Sequence, residues 1–351
     1  MEREKRKKET IDKQELLEIL TKVKPGLSHK DIVEQASHFI FTGEEIVTYN
    51  DQICISHPFK TDFKCSVNAD NLFKILSGVP ENDIEIKFDG TQLEITGKKF
   101  KAGLAVSVEE TIYTLFSDIR IGFRRGWKEI PLDFMEGLFL CMFSASMDMT
   151  TRTLTGVGVL DDSMVSSDDY RLSKYKLDVG VGTDFLIPAK AIFELKGYDF
   201  KEYKVSESWI HFRTENGVVF SIRLIEGSMK EFDFEQYFEV DGAELVLPEK
   251  LNSVLETVSI MAEGDFDFEK KIEIIVDGNK VICKGRKSQG WVEIEEKLEG
   301  ENEAVFFFIN PIFLKQILQK TNSVIIGEGR ALFKSDKFEH VMLLSVGNEE
   351  E

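Results

Sequence analysis

Residue types that could perform catalysis or bind a metal ion occur throughout this sequence, but they do not form a recognised motif. The histidines do not have the HExxH or HxH spacing of a metal site; they are His29, His38, His57, His211 and His340. The cysteines show neither CxxC nor Cys/His ligand spacing and are expected to be buried thiols; they are Cys54, Cys65, Cys141 and Cys283. We therefore predict no metal site, no disulfide framework and no cofactor.

The carboxylates give an equally weak chemical signal. Asp265, Asp267 and Glu269 alternate as in a calcium-binding loop, but the glycine at the sixth position and the glutamate at the twelfth are missing. Asp168 and Asp169 are adjacent, and neighbouring side chains on a strand point to opposite faces of a sheet. No GxxxxGK[ST] or GxGxxG segment is present to hold a phosphate at the start of a helix. We predict a protein without catalytic residues, and an enzyme of an unfamiliar type is the weaker alternative.

The composition predicts a soluble protein with more than one hydrophobic core. The chain has 351 residues, of which 42% are hydrophobic, and one domain usually takes about 100–200 residues. We find no run of about eighteen apolar residues and no secretory signal, so we expect a cytoplasmic protein without a membrane partner. The formal net charge of −19 disfavours binding of nucleic acid by the whole surface, so contact with phosphates must be local.

A short apolar pattern recurs six times along the chain. In each copy an aliphatic residue is followed by apolar residues five and eight positions later, which share one helical face. The copies begin 56, 63, 57, 59 and 63 residues apart, at Ile11, Val67, Ile130, Ile187, Val246 and Ile309. Such regularity indicates six similar structural units. We predict one helix in each, over residues 12–24, 68–76, 131–143, 188–196, 248–258 and 310–320.

Residues at the predicted helix starts support this interpretation. Asp12 and Asn68 can cap the N-termini of the first two helices. Proline costs little in a first helical turn, where its missing N–H has no intrahelical partner. The prolines predicted in this position are Pro131, Pro188, Pro248 and Pro311.

Between the predicted helices, apolar and polar residues alternate around tight-turn dipeptides, which is typical of β-hairpins. The turns are predicted near Thr42-Gly43 and at Asp89-Gly90, Asn216-Gly217 and Asp277-Gly278. An alternating strand buries only one face, so the helices are expected to cover the sheets. We predict an α+β fold of three tandem domains, each a pair of helix-plus-antiparallel-strand units, over residues 1–125, 126–243 and 244–351.

Several segments carry the pattern of a known family. FSASMDMTTRTLTGV, SSDDYRLSKYKL and FLIPAKAIFEL contain a helix that ends in Phe-Ser, a strand with Leu-x-Gly and a turn like Thr-Asp-Gly-His-Arg-Leu. IEGSMKEFDFEQYF contains a segment like Gly-x-Phe-Pro-Asp-Tyr. Together with INPIFLKQIL and HVMLLSV, these segments resemble the bacterial sliding clamp, the beta subunit of DNA polymerase III, over nearly the whole chain.

The resemblance implies three tandem DNA-clamp domains, with helices on the inner face of a ring and sheets outside. Two protomers would form a homodimer ring around duplex DNA, without sequence preference and without catalysis. Such a processivity factor would tether the replicative polymerase to its template. The polymerase and the clamp loader would bind through short peptide motifs.

The resemblance also implies three sets of functional residues. The groove for partner peptides would use Tyr170, Arg171, Leu172, Phe234, Asn310, Phe313, Leu332, Val341 and Leu343. The dimer interface would place Phe100 against Ile260 and Met261 of the other copy. Lysines on the inner helices would contact DNA phosphates, which carry no sequence information; they are Lys22, Lys24, Lys74, Lys190, Lys196, Lys250, Lys315 and Lys320.

Departures from the family pattern leave partner specificity open. Asp169 and Tyr170 replace the glycine and histidine of the turn, and Leu343-Leu344 stands where a proline is expected. A GNEEE tail follows, and the basic N-terminal run has no counterpart in the family and is expected to be a solvated tail; it comprises Arg3, Lys5, Arg6, Lys7 and Lys8. The alternative function is a clamp-fold interaction or inhibitor protein that does not encircle DNA. A two-domain clamp that closes as a trimer is disfavoured, because six helices are predicted rather than four.

Overall fold

A computed structural model describes residues 10–28, 36–107 and 110–345, with the side chains of residues 110–112 left aside. Three features singled out in the sequence lie outside these ranges: His29, the GNEEE tail, and the basic run of Arg3, Lys5, Arg6, Lys7 and Lys8.

Within the described ranges, each of the six predicted regions contains an α-helix. Two further helices, α3 and α6, were not predicted. The α-helices are α1 (Lys13–Val23), α2 (Ala69–Gly78), α3 (Glu110–Ile121), α4 (Phe134–Cys141), α5 (Ala189–Glu194), α6 (Glu235–Phe238), α7 (Leu251–Val258) and α8 (Pro311–Leu318). Short 3-10 helices occupy Lys24–Gly26, Met142–Ser144, Arg152–Thr155, Met229–Glu231 and Ser259–Met261.

Antiparallel strands make up most of the remaining structure. They are β1 (Ile11–Asp12), β2 (His38–Phe41), β3 (Glu45–Tyr49), β4 (Ile53–Pro58), β5 (Cys65–Asn68), β6 (Asp83–Phe88), β7 (Gln92–Thr96), β8 (Lys101–Ser107), β9 (Lys128–Glu129), β10 (Gly156–Val159), β11 (Ser163–Ser167), β12 (Arg171–Lys176), β13 (Phe185–Pro188), β14 (Phe200–Val205), β15 (Trp209–Thr214), β16 (Val219–Arg223), β17 (Gly242–Val246), β18 (Ile272–Lys287), β19 (Gly290–Ile309), β20 (Ser323–Gly327), β21 (Arg330–Ser335) and β22 (Phe338–Leu343). The predicted α+β class with antiparallel sheets is confirmed.

The predicted caps are confirmed, whereas three of the four prolines lie earlier than predicted. The side chain of Asp12 accepts a hydrogen bond from the Gln14 N–H at 2.7 Å, and Asn68 caps α2 in the same way. Pro311 is the first residue of α8. The remaining prolines precede their helices, Pro188 directly and Pro131 and Pro248 by three residues.

The chain forms two compact units. One comprises residues 1–130 and 194–224, and the other comprises residues 131–193 and 225–351. The bounds of the three predicted domains are not tested by this division and stay a prediction.

The first unit is built on a twelve-stranded sheet in the order β1-β6-β7-β8-β5-β2-β3-β4-β16-β15-β14-β9. The helix α1 lies on one face, where the Thr48 hydroxyl of β3 donates to the Val23 carbonyl at 2.5 Å. Because side chains alternate along a strand, Val47 and Tyr49 point to the opposite face. Both faces of β3 are therefore buried.

The helix α3, which was not predicted, packs on the second face of this sheet. Phe116 and Ile119 of α3, followed by Phe123, pack in one buried cluster with Val47 and Tyr49. The spacing of three and four residues between these apolar side chains is that of one helical face. The helix therefore lies on the opposite side of the sheet from α1.

The second unit contains an eight-stranded sheet in the order β13-β10-β11-β12-β22-β21-β20-β17. The neighbouring strands β12 and β22 pair Leu172 with Val341. The helix α4 packs closely on this sheet, because a side chain at Gly137 would lie 2.8 Å from the Tyr175 ring and 2.9 Å from the Met164 sulfur. Only glycine permits this approach.

A long hairpin of β18 and β19 completes the second unit, and it corrects one predicted turn. The hairpins at Thr42-Gly43, Asp89-Gly90 and Asn216-Gly217 are confirmed. The turn predicted at Asp277-Gly278 is wrong, because these residues lie within β18, where the register shifts on either side of Gly278. The chain instead reverses between Lys287 and Gly290. The positive φ of 60° at Gly278 suits a β-bulge as well as a turn.

Candidate functional site

A pocket of about 430 Å³ lies in the second unit, where the start of β12 meets α8 and the end of β22. Four residues predicted for the partner groove line it: Tyr170, Asn310, Phe313 and Leu343. A loop between the last 3-10 helix and β18 supplies further lining residues, which are Glu263, Gly264, Phe268, Glu269 and Lys271. The lining combines aromatic and aliphatic side chains with charged and polar ones, so a ligand can be anchored by its apolar groups and oriented by polar contacts.

Asn310 fixes two parts of this pocket at once. As the N-cap of α8, its side-chain oxygen accepts hydrogen bonds from the N–H groups of Ile312 at 2.9 Å and Phe313 at 3.1 Å. Its side-chain amide donates to the Asp267 carbonyl at 2.8 Å. Asn310 therefore holds the loop against the start of the helix that carries Phe313.

A tight turn presents Tyr170 at the pocket edge. Asp168 accepts hydrogen bonds from the N–H groups of Tyr170 and Arg171. Asp169, which follows Asp168 in the turn, has a φ of 72°. This left-handed conformation favours glycine. The backbone geometry of Asp169 therefore explains why the family pattern has glycine at this place. Tyr170 is 41% exposed, and its ring stacks on Phe268 with 5.5 Å between centroids.

Arg171 supports the pocket from beneath rather than lining it. Its side chain is 8% exposed, and its Nε lies 2.8 Å from Asp168 Oδ2. The guanidinium carbon lies 4.1 Å from the centroid of the Phe313 ring and 5.3 Å from that of Phe143, and the group also donates to Gln316 Oε1. Burial raises the pKa of the Asp168 carboxyl, although the adjacent guanidinium opposes this shift. Arg171 thus fixes the position of Phe313.

The remaining predicted groove residues form a buried apolar cluster in the same unit. Leu172, Leu332 and Val341 belong to its core, and Phe234 packs against it while partly buried. Leu332 is fully buried, so it can shape the site but cannot touch a ligand in this conformation. The predicted groove residues thus divide into pocket lining, the supporting Arg171 and this cluster.

Sequence reasoning missed Phe268 as a pocket residue. Only the acids of this segment, Asp265, Asp267 and Glu269, were considered, as an incomplete calcium-binding pattern. The signal that could have revealed it is the alternation of Phe266 and Phe268 with these acids, and the two rings stack in parallel with 5.6 Å between centroids. Both rings are also exposed, by 61% and 44%.

The predicted DNA-facing lysines are largely at the surface. Lys24 lies 5.1 Å above the Phe73 ring of α2, and Lys315 forms an ion pair with Glu256 at 2.6 Å. This ammonium lowers the pKa of the Glu256 carboxyl. Seven of the predicted lysines are exposed: Lys22, Lys24, Lys74, Lys190, Lys196, Lys250 and Lys320.

The predicted dimer-interface residues lie at the ends of elements in both units. Phe100 lies in the turn between β7 and β8, where its carbonyl accepts a hydrogen bond from Gly97 at 2.8 Å. Ile260 is 66% exposed, and Met261 follows it in the 3-10 helix beside β18. Exposed apolar side chains at such positions suit a subunit contact.

The candidate catalytic groups are poorly placed for chemistry. Burial lowers the pKa of His211 to about 3 and raises the pKa of the Cys65 thiol to about 12, so neither is poised to exchange a proton or attack near neutral pH. In the part of the chain that the structure describes, no group of three His, Cys, Asp or Glu side chains could hold a metal ion. Among the same residues, no helix is long and apolar enough to cross a membrane.

No protein-family model matches the chain, and no curated protein matches it. Solved structures do. The beta chain of DNA polymerase III from Streptococcus pneumoniae superposes with a TM-score of 0.81 at 18% identity, covering 96% of this chain and 99% of that chain. The sliding clamp of Bacillus subtilis gives 0.79 at 16% identity over 96% and 98%. A Bartonella birtlesii sliding clamp solved with bound griselimycin gives 0.79 at 16% over 96% and 99%. The chain therefore has the fold of the solved bacterial sliding clamps, and the predicted resemblance is confirmed for the fold.

Proposed function

We propose that this chain is a DNA sliding clamp, a processivity factor that encircles duplex DNA and tethers the replicative polymerase. The observation that carries the proposal is the match to solved clamps over 96% of the chain at a TM-score of up to 0.81. Since one fold can serve several functions, the proposal also needs surfaces for DNA, for a second copy and for partners.

The helices with exposed lysines supply the surface for DNA. The lysines lie in α1, α2, α5 and α8 or within two residues of the ends of α1, α5, α7 and α8, while the whole chain has a net charge of −19. A few dispersed cations can contact phosphates without holding one position, because each phosphate contact is weak and independent of sequence. This arrangement suits sliding.

The dimer interface is supported by strand edges as well as by apolar residues. Within the described residues, β18 and β19 pair in a sheet only with each other. Apart from the bridge that Phe308 of β19 forms with Ser345, their outer edges can pair with another strand. Ile260 and Met261 lie close to this hairpin, since a side chain at Gly285 would meet the Met261 carbonyl carbon at 3.0 Å. Phe100 of a second copy is proposed to pack there.

The aromatic pocket supplies the partner site. A volume of about 430 Å³ holds one or two side chains of a peptide, which are the anchors that dominate such contacts. We propose that segments of the polymerase and of the clamp loader insert here, between Tyr170, Phe313 and Leu343. No catalytic residue is assigned, and the domains are proposed to span residues 1–125, 126–243 and 244–351.

The topological link is tested by retention on DNA. Purified protein is placed on nicked circular duplex by a clamp loader, free protein is removed, and the retained fraction is followed by gel filtration. We expect retention on the circle and rapid loss after one restriction cut. A protein that binds DNA only by charge would be retained equally on the circular and the cut form. Equal retention on cut and uncut DNA would therefore contradict the proposal.

The alternative of a clamp-fold protein that does not encircle DNA is favoured by the net charge of −19. It predicts a monomer at micromolar concentration, whereas a ring requires a dimer. Sedimentation velocity at low and at high salt separates the two proposals.

A further inference from the structure

A second charged surface lies on the first unit, away from the helix α1. Arg124 and Arg125 follow α3 and are exposed, and α3 covers the sheet face opposite to α1. Lys204 of β14 approaches the same turn, because a side chain at Gly126 would lie 3.1 Å from its ammonium nitrogen. The Lys204 ammonium therefore lies beside the turn that directly follows Arg124 and Arg125, on a chain whose net charge is −19.

Some cations near this turn pair with a carboxylate, and others do not. Arg120 pairs with Glu45 at 3.4 Å, and Arg213 forms a hydrogen-bonded pair with Glu202, with 2.8 Å from its Nε. In the part of the chain that the structure describes, no ion pair joins Arg124, Arg125 or Lys204 to a carboxylate, although the exposed Glu129 is close in sequence. The surface therefore has guanidinium groups available for an anion.

Apolar groups lie beside these charges. Ile121, the last residue of α3, is 60% exposed, and Trp127 is half-buried. One side of the Trp127 ring is covered by Arg213, whose guanidinium carbon lies 4.3 Å from the ring centroid, and Phe123 lies 6.0 Å away. Trp127 is thus held in place by its neighbours, and Ile121 is the free apolar contact.

We propose that Ile121, Arg124, Arg125, Trp127 and Lys204 form a docking surface for an acidic protein segment that carries an aliphatic side chain. Arginine binds carboxylates through two parallel hydrogen bonds, and covering an exposed isoleucine with an aliphatic group is favourable because it removes apolar surface from water. Arginine and tryptophan are also frequent at the energetic centres of protein interfaces.

An acidic peptide fits this surface better than a nucleic acid. A phosphate backbone has no aliphatic group to cover Ile121, and Arg213 already occupies one face of the Trp127 ring, which leaves only the other face for a base to stack on. The surface lies across the sheet from α1, so its occupant would not compete with DNA for the lysines of α1. This binding goes beyond the proposed clamp function and does not depend on it.

The test measures fluorescence anisotropy of a short labelled peptide of glutamate and leucine titrated with the full chain. A peptide with serine in place of leucine and a single-stranded oligonucleotide of equal charge serve as comparison probes. We expect the leucine peptide to bind most tightly. Arg124→Glu combined with Arg125→Glu should weaken it about tenfold, and Ile121→Ser should weaken the leucine peptide but leave the serine peptide unchanged.

The matched control combines Arg152→Glu with Lys176→Glu, two exposed cations elsewhere with the same change in net charge. If this control weakens the peptide as much as the Arg124 and Arg125 change, the proposal is wrong. It is also overturned if the oligonucleotide binds as tightly as the leucine peptide and Ile121→Ser has no effect. If circular dichroism shows that the variant with glutamate at Arg124 and Arg125 has lost helix, Arg124→Gln combined with Arg125→Gln is measured instead. Retention on circular DNA should be unchanged in all these variants, so failure of this proposal and failure of the clamp function are distinguishable.

Discussion

At the scale of single residues, the pair of Arg171 and Asp168 joins the stability of the chain to the shape of the pocket. The two side chains are only 8% and 13% exposed. Removing one partner of a buried pair leaves the other charge uncompensated. We expect Arg171→Met to lower the free energy of unfolding by about 3 kcal/mol, measured by urea denaturation.

The matched double variant shows whether charge causes this loss. Asp168→Asn retains an oxygen that accepts from the Tyr170 and Arg171 N–H groups, but it removes the buried charge. Added to Arg171→Met, it should therefore restore part of the lost stability. If the double variant is less stable than Arg171→Met alone, the pair does not act through its charges.

His340 predicts a loss of stability in acid. It is fully buried, its Nδ1 lies 2.8 Å from the Ser173 hydroxyl, and its Nε2 has no hydrogen-bond partner. Burial lowers the pKa of this imidazole well below its usual value. Below about pH 6.5, the imidazole of His340 binds a proton in the unfolded chain but not in the folded chain. The free energy of unfolding therefore decreases as the pH is lowered, until the folded-state pKa is reached.

Phenylalanine at position 340 should remove this dependence. His340 lies among Phe143, Phe333 and Phe338, and Ser173 keeps its contact with Ser144 at 2.6 Å. We expect His340→Phe to reduce the stability difference between pH 7.5 and pH 5 by about 2 kcal/mol, measured by urea denaturation at both values. An unchanged difference would show that His340 does not titrate on unfolding.

Residues with a local backbone role were predictable, whereas residues brought in by tertiary contact were not. Asp12 and Asn68 cap their helices because short polar side chains reach the N–H groups two or three residues ahead. The turn at Asp169 was visible through a family pattern that has glycine there. Phe268 joins the pocket only through contact with Tyr170, and no local pattern encodes that contact.

At the scale of elements, the sequence repeat explains why six helices were predicted and why α3, the longer of the two missed helices, was not. The six predicted helices recur with a period of about sixty residues, but α3 occurs outside that period. Its own spacing of Phe116, Ile119 and Phe123 is helical, and a search by local periodicity alone would find it. Asp277-Gly278 was misread because an Asp-Gly pair suits a bulge as well as a turn, and pairing along β18 and β19 decides which one forms.

The proposed interface makes an element-level prediction, because one end of the chain must meet the other end of its copy. Phe100→Asp and Ile260→Asp each place a charge in both contacts of a symmetric ring, so each variant should sediment as a monomer. Val179→Asp is the matched control, since Val179 is similarly exposed, by 61%, and has no proposed contact. A dimer of Phe100→Asp as stable as the unsubstituted chain would contradict the interface.

Mixing the two variants tests the head-to-tail arrangement. A pair of one Phe100→Asp chain and one Ile260→Asp chain has one contact with both substitutions and one contact with neither. The mixture should therefore form dimers that neither variant forms alone, measured by sedimentation velocity. These dimers should not be retained on circular DNA, because their second contact is broken.

At the scale of the whole molecule, the match over 96% of the chain at 18% identity shows how little of this fold depends on particular residues. The apolar positions of six units and the turns between strands are sufficient to predict an α+β chain of repeated units. The position of one unit against another depends on many weak side-chain contacts with no sequence period. For that reason the six helix-containing regions were predictable, whereas the division of the chain into two compact units was not.

The final prediction separates encirclement from electrostatic attraction. Alanine at Lys22, Lys24 and Lys74 should weaken binding to a short linear duplex, and the slope of log affinity against log salt should fall by about 0.9 for each lost phosphate contact. The lifetime on a nicked circle should change little, because a closed ring is held by topology rather than by charge. Alanine at the exposed Lys60, Lys176 and Lys334 controls for net charge and should alter neither quantity strongly. If the lifetime on the circle instead falls in proportion to the affinity for linear DNA, the lysines hold the protein on DNA and the ring does not.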